Sequence, residues 1–167
     1  MIAFENYDEM AREVERDDLD VTADHILVLK NSGPQGGPGM PEWGMLPIPK
    51  KLVKQGVRDM LRISDARMSG TSYGACILHV APESQICGPL AAVRTGDTIT
   101  VDVSKRSIHL HLTDEQIVER VKAHKPPPRD YPRGYYKMFA EHTRQANEGC
   151  DFDFLEGAEG IPEPEIH

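Results

Sequence analysis

His25-Ile26-Leu27-Val28-Leu29-Lys30 runs straight into Asn31-Ser32-Gly33-Pro34-Gln35-Gly36-Gly37-Pro38-Gly39-Met40-Pro41-Glu42-Trp43-Gly44. The first part is leucine-rich and β-branched, the mark of a buried strand; the second is a loop of glycine and proline at the strand's end. The pattern recurs where Met60-Leu61-Arg62-Ile63-Ser64 feeds Asp65-Ala66-Arg67-Met68-Ser69-Gly70-Thr71-Ser72-Tyr73-Gly74. Glycine lets a backbone turn sharply and come close to a ligand. One loop carries a carboxylate and the other a row of hydroxyls, so the pair suggests one polar pocket at strand ends, built in two pieces.

The remaining elements fall around this frame. Apolar residues at Phe4, Tyr7, Met10, Ala11 and Val14 have the three-and-four spacing of an amphipathic helix over residues 4–15. Pro49 opens a short helix that Gly56 stops. Residues 76–80 read either as a strand or as the end of a short helix. Alternation over residues 98–103 and 107–112, with turns at Gly96-Asp97 and Lys105-Arg106, predicts a β-hairpin. Thr113 with Gln116 forms a capping box for a helix that Pro126-Pro127-Pro128 ends, and residues 135–147 suit one last helix. These elements predict an α/β domain without regular βαβ alternation: a mixed, β-barrel-like sheet with peripheral helices. Residues 1–150 form the single expected domain, and residues 151–167 an acidic, proline-bearing tail. The chain shows no internal repeat.

With 27 acidic and 19 basic residues and a formal charge of -8, the 167-residue chain repels phosphate backbones. No nucleic-acid role is expected. Its apolar runs are far shorter than the ~20 residues of a membrane span, so a non-membrane, cytoplasmic protein is expected. Cys76, Cys87 and Cys150 are widely spaced, and no Cys-x-x-Cys pair is present to hold zinc or an iron–sulfur cluster. Packed thiols are the simpler account.

The first loop is not a dinucleotide fingerprint. Its glycines run G-x-x-G-G-x-G, and Pro34, Pro38 and Pro41 lack the N–H groups that a phosphate cradle needs. A nucleotide P-loop is also excluded, since no Gly-Lys-Ser/Thr occurs. What is left is a braced loop presenting Glu42, either a solvated side chain or a hard oxygen ligand suited to Mg²⁺. Ser69 lacks the Gly-x-Ser-x-Gly setting of a hydrolase nucleophile. It either satisfies loop backbone groups or serves as a base, its hydroxyl acidified by a nearby cation. His109 and His111 would share a hairpin face without an evident third ligand, His79 suits a core or interface, and Arg129, Tyr131, Arg133, Tyr135 and Tyr136 form an aromatic-basic cluster.

At these loops the sequence resembles the dehydratases that include dihydroxy-acid, phosphogluconate and aldonic-acid dehydratases. The likeness is carried by Leu29-Lys30-Asn31-Ser32-Gly33-Pro34 running into Gly37-Pro38-Gly39-Met40-Pro41-Glu42, and by Ser64-Asp65-Ala66-Arg67-Met68-Ser69-Gly70. Pro41-Glu42-Trp43-Gly44 and Gly149-Cys150-Asp151-Phe152-Asp153-Phe154 look most like the pentonate, arabinonate-type branch. The resemblance implies a swivelling β/β/α domain and a hydro-lyase that turns a sugar acid into its 2-keto-3-deoxy acid. It further implies Glu42 as a Mg²⁺ ligand, Ser69 as the base at C2 and Thr71 beside the substrate.

The same resemblance implies an iron–sulfur cluster, [2Fe–2S] or [4Fe–4S], whose cysteines lie in an N-terminal domain that nothing in this chain matches. The chain is therefore expected to be an excised or naturally split C-terminal part, inactive without that partner and homo-oligomeric in the full enzyme. The alternatives are dihydroxy-acid dehydration in branched-chain amino-acid synthesis, a non-catalytic small-molecule-binding module, or an assembly module exposing Met40, Trp43 and Met45.

Overall fold

The computed structural model describes residues 1–155 and 157. Four short strands, β1 (Ile2–Phe4), β2 (Leu27–Leu29), β3 (Arg62–Ser64) and β4 (Cys76–Ile77), lie side by side in chain order, all parallel. The register aligns Ala3, Val28 and Ile63, and it aligns Phe4, Leu29 and Ser64 one position on. Side chains alternate along a strand, so the two rows point to opposite faces, and each face is buried against a different layer.

Helix α1 (Tyr7–Glu13) brings Met10 to the face bearing Ile2, Phe4, Leu27 and Leu29, and α2 (Lys50–Lys54) brings Leu52. On the other face Val28 and Ile63 pack with Leu90 and Val93, and with Ile99, Val101 and Leu110 of the antiparallel hairpin β5 (Ile99–Asp102) and β6 (Ser107–Leu110). Hairpin, parallel sheet and helices form successive β, β and α layers, the mixed α/β architecture expected with helices at the periphery. Both faces of the parallel sheet are covered, which is why its strands read as apolar runs rather than as alternating ones.

Several elements differ from the sequence reading. Residues 2–4 form a strand, and the helix begins only after Asn6, whose Oδ1 accepts the Glu9 N–H at 2.9 Å. A three-residue strand is too short to show a period, and Phe4 happens to fit the helical spacing of the residues that follow. The order β1-α1-β2-α2-β3 is consequently more regular than expected. Residues 76–77 resolve as strand. The last helix, α4 (Tyr135–His142), stops short of residue 147, because Thr143 pairs antiparallel with Phe152 and the Arg144 N–H donates to the Asp151 carbonyl at 2.8 Å. Phe139, Phe152 and Phe154 then stack, tying the start of the acidic tail to α4. Residue 156 and residues 158–167 of that tail lie outside the described residues. Among the described residues, no helix is long and apolar enough to cross a membrane.

Helix α3 (Asp114–Ala123) has both halves of the capping box: Gln116 N–H donates to Thr113 Oγ1 and Thr113 N–H donates to Gln116 Oε1. None of its residues is fully buried, so its stability leans on local terms. Thr113→Ala is expected to cost about 1 kcal/mol, read as a lower urea midpoint with an unchanged m value. An unaltered midpoint would show that the cap adds nothing.

Candidate active site

The two glycine loops are paired. Glu42 and Arg67 form a parallel bridge, the Trp43 N–H donates to the Arg67 carbonyl at 3.4 Å, and the Ser69 N–H donates to the Gly44 carbonyl at 3.1 Å. The Gly44 carbonyl also accepts the Ser72 hydroxyl at 3.0 Å, which ties the far end of the second loop to the first. Gly44 has a φ of 65, a left-handed conformation that glycine adopts without strain.

Pairing sorts the side chains by face. Trp43, Ala66 and Met68 pack inward on the apolar cluster beneath the helices, whereas Glu42 and Arg67 are exposed and Ser69 is half-buried. By strand alternation, Glu42, Arg67 and Ser69 leave the paired segment on its outer side. Ser69 Oγ lies 2.9 Å from Thr71 Oγ1 and accepts the Thr71 N–H at 3.3 Å. The Thr71 N–H aimed at the Ser69 oxygen favours that oxygen's charged form. Thr71 is thus a hydrogen-bond partner of Ser69.

Two buried carboxylates hold the loops from below, and the sequence reading assigned neither a role. Asp65 accepts the N–H groups of Asn31 at 3.2 Å, Ser32 at 2.9 Å and Ser84 at 2.9 Å, and the Ser84 hydroxyl at 2.6 Å. Glu83 accepts the N–H groups of Gln35 at 2.8 Å and Gly36 at 2.7 Å, and the Gln145 amide at 2.9 Å. A Cβ on Gly33 would lie 2.7 Å from Glu83 Oε2, and one on Gly36 would lie 2.6 Å from the Asn31 carbonyl oxygen. The first loop needs glycine there to wrap its own carboxylate, and its N–H groups face inward rather than toward a phosphate. Burial pushes the Asp65 and Glu83 carboxyls above their ordinary range against the pull of their donors. An acidic residue directly after a buried strand was the one available hint of Asp65; Glu83 has no local signal, since its partners lie 47 and 62 positions away.

Among the described residues no group of three His, Cys, Asp or Glu could hold a metal ion. Mg²⁺ takes six oxygens, commonly with one or two carboxylates. The exposed Glu42, which makes no hydrogen bond or ion pair among the described residues, fits as one contributor to a site completed from outside the chain. The cysteines do not fit a cluster: Cys76 contacts Met68 and Cys150 contacts Met40 through sulfur, and Cys87 is exposed. His109 and His111 stack edge to face at 4.8 Å, with His111 Nε2 2.7 Å from the Thr100 hydroxyl. His79 is exposed with a φ of 56 and is not a core residue. The apolar surface expected at Met40, Trp43 and Met45 is largely absent, because Met40 is buried and Trp43 stacks on Tyr7 at 4.9 Å.

Residues 1–150 match the family described as dihydroxy-acid/6-phosphogluconate dehydratase C-terminal. The chain is 51% identical over 166 residues to a 6-deoxy-6-sulfo-D-gluconate dehydratase of Pseudomonas putida, covering 99% of this chain and 29% of that protein. It is 46% identical to an L-arabonate dehydratase of Azospirillum brasilense, covering 98% of this chain and 29% of that protein. Identity to a dihydroxy-acid dehydratase of Streptococcus suis is 41%, over 77% of this chain and 22% of that protein. The chain thus spans under a third of the length of these relatives.

Proposed function

Because this chain belongs to the dihydroxy-acid/6-phosphogluconate dehydratase C-terminal family, we propose that it is the C-terminal part of a Mg²⁺- and iron–sulfur-dependent hydro-lyase acting on a sugar acid, an aldonate such as arabinonate. Residues 1–150 are its domain in this reading. The supporting observation is the pairing of Glu42 with Arg67, which joins the carboxylate loop to the hydroxyl loop and turns Glu42 and Ser69 to one outer side.

Ser69 is the base. Its oxygen, ionised by loss of its own proton and held by the Thr71 N–H, takes the proton from C2 of the aldonate; the electron pair left behind forms the C2–C3 double bond, and the C3 hydroxyl departs as hydroxide, which takes up a proton and leaves as water. The enol so formed tautomerises to the 2-keto-3-deoxy acid. Glu42 contributes one oxygen to the divalent ion's shell and thereby orients the carboxylate end of the substrate. When bound, the divalent ion and the cluster iron, whose other protein ligands lie outside this chain, supply Lewis acidity at the carboxylate end and at the leaving hydroxyl.

The test joins this chain to the N-terminal portion of a sugar-acid dehydratase and follows 2-keto acid formation from arabinonate. Glu42→Gln keeps the shape but removes the charge, and is expected to raise the Mg²⁺ concentration for half-maximal rate at least about tenfold, roughly 1.4 kcal/mol of lost ion affinity. An unchanged Mg²⁺ requirement would remove Glu42 from the metal site. Faster turnover of a 2,3-dihydroxy branched-chain acid than of any aldonate would replace the substrate class.

A further inference from the structure

The first glycine loop is strapped from one side by α4 and the residues that follow it. Gln145 is buried, and its side-chain amide meets Glu83 at two points: Oε1 accepts the Glu83 N–H at 2.7 Å, and Nε2 donates to the Glu83 carboxylate at 2.9 Å. An amide accepts at one end and donates at the other. An ionised carboxylate at this position could not donate, and an apolar side chain could do neither. The same Glu83 carboxylate accepts the Gln35 and Gly36 N–H groups, so Gln145 reaches the loop through one intermediary. Three further contacts join strap and loop. Gln35 Nε2 donates to the Thr143 carbonyl at 3.1 Å, Cys150 Sγ lies 3.5 Å from Met40 Sδ, and the Phe139 ring lies 3.5 Å from where a Cβ on Gly39 would stand.

These contacts run along the loop from Gln35 to Met40, which stands two residues before Glu42. Between them the backbone has little freedom. The Gly37 N–H donates to the Gly33 carbonyl at 2.7 Å and the Met40 N–H to the Gly37 carbonyl at 2.6 Å, while Pro34, Pro38 and Pro41 have fixed φ. A loop braced in this way moves as one piece, so a shift at Gln35 is carried to Glu42. We propose that Gln145 is a positioning residue: through Glu83 it sets where the Glu42 loop stands, and thereby how well Glu42 meets the divalent ion, which rests on Glu42 being a ligand of that ion as proposed above. A bond that served stability alone would change how much of the protein is folded and leave the ion requirement of the folded molecules as it was.

Two measurements test this, one on the 167-residue chain and one on the dehydratase that carries it. In the chain, Gln145→Met is expected to speed amide exchange at Gln35, Gly36 and Met40 at least about fivefold. The Leu27 and Arg62 N–H groups, which donate within the sheet at 3.0 and 3.1 Å, should exchange as in the parent. In the dehydratase, Gln145→Met is expected to raise the Mg²⁺ concentration for half-maximal rate about fivefold, the weight of one hydrogen bond, with kcat at saturating Mg²⁺ within about twofold of the parent. Gln35 is half-buried, so Gln35→Ala is the milder variant; it removes only the contact with Thr143, should raise the requirement about twofold, and carries both measurements where Gln145→Met does not fold. Thr113→Ala, which loosens α3 instead, should leave the requirement unaltered. On a Glu42→Gln background, Gln145→Met should add less than about twofold, because both act on one ligand. Parent-like exchange of the loop amides, an unchanged Mg²⁺ requirement in both strap variants while Glu42→Gln raises it, an equal rise in Thr113→Ala, or a full further rise on the Glu42→Gln background overturns the inference and leaves the dehydratase reading standing. An unchanged requirement in Glu42→Gln itself removes the metal site, and the role of Gln145 falls with it.

Discussion

Ser69→Ala in the dehydratase that carries this domain is expected to lower kcat by about 10²–10⁴-fold, the contribution of a positioned base, while KM for the aldonate changes little. The split follows from what Ser69 touches. Its oxygen is bonded to Thr71 and, in the proposed mechanism, to the proton at C2, and not to the groups that hold the carboxylate end. An interaction made only in the transition state shows in kcat and leaves ground-state binding alone. Ser69 is half-buried on the outer side of the loops, so the substitution should leave stability within about 0.5 kcal/mol of the parent. Thr71→Val should show part of the same kcat defect, since it removes the hydroxyl that contacts Ser69 Oγ but keeps the N–H, and Thr71→Ser should restore most of it. A Ser69→Ala enzyme that retains parent-like kcat would end the assignment of Ser69 as base.

The two loops that carry the candidate residues are legible because their signals are local. Proline and glycine at fixed offsets mark the first loop, hydroxyls at neighbouring positions mark the second, and each follows a strand whose apolar run survives burial on both faces. The capping box at Thr113 and Gln116 and the alternating hairpin are local as well, and the structure reproduces both. The misses share one cause. A three-residue edge strand has no period to detect, the pairing of Thr143 with Phe152 that ends α4 is made across the chain, and the buried carboxylates act on partners far away in sequence. The surface expected at Met40 differs for the opposite reason: an apolar residue in a glycine loop reads as exposed, whereas the loop folds back and buries Met40.

The largest effect on stability is expected from Asp65→Ala. Asp65 is fully buried, and removing it strands the Ser32 and Ser84 N–H groups and the Ser84 hydroxyl in the interior at once, leaving the Asn31 N–H only its bond to Ser84 Oγ. Leaving buried donors without an acceptor costs about 1–3 kcal/mol each, together a large share of the ~5–15 kcal/mol that holds a domain together. Ser84→Ala removes one donor to Asp65 and one acceptor for the Asn31 N–H, and should cost less, about 1–2 kcal/mol. Urea unfolding of the chain gives both values. Amide exchange adds a local readout, because the Asn31, Ser32 and Ser84 N–H groups should lose protection ahead of the sheet. The pH dependence is a further check with a defined sign. Burial raises the folded-state value of Asp65 above that of the unfolded chain, so between the two the folded state holds a proton that the unfolded state has released. Stability therefore falls as pH rises from about 4 through that raised value, and this component of the slope should be missing from Asp65→Ala. A variant within 1 kcal/mol of the parent, with the slope intact, would mean that the loops are held by their glycines and by Glu83 alone. In that case the close approach of the first loop to Ser84 would be a consequence of the fold and not its cause.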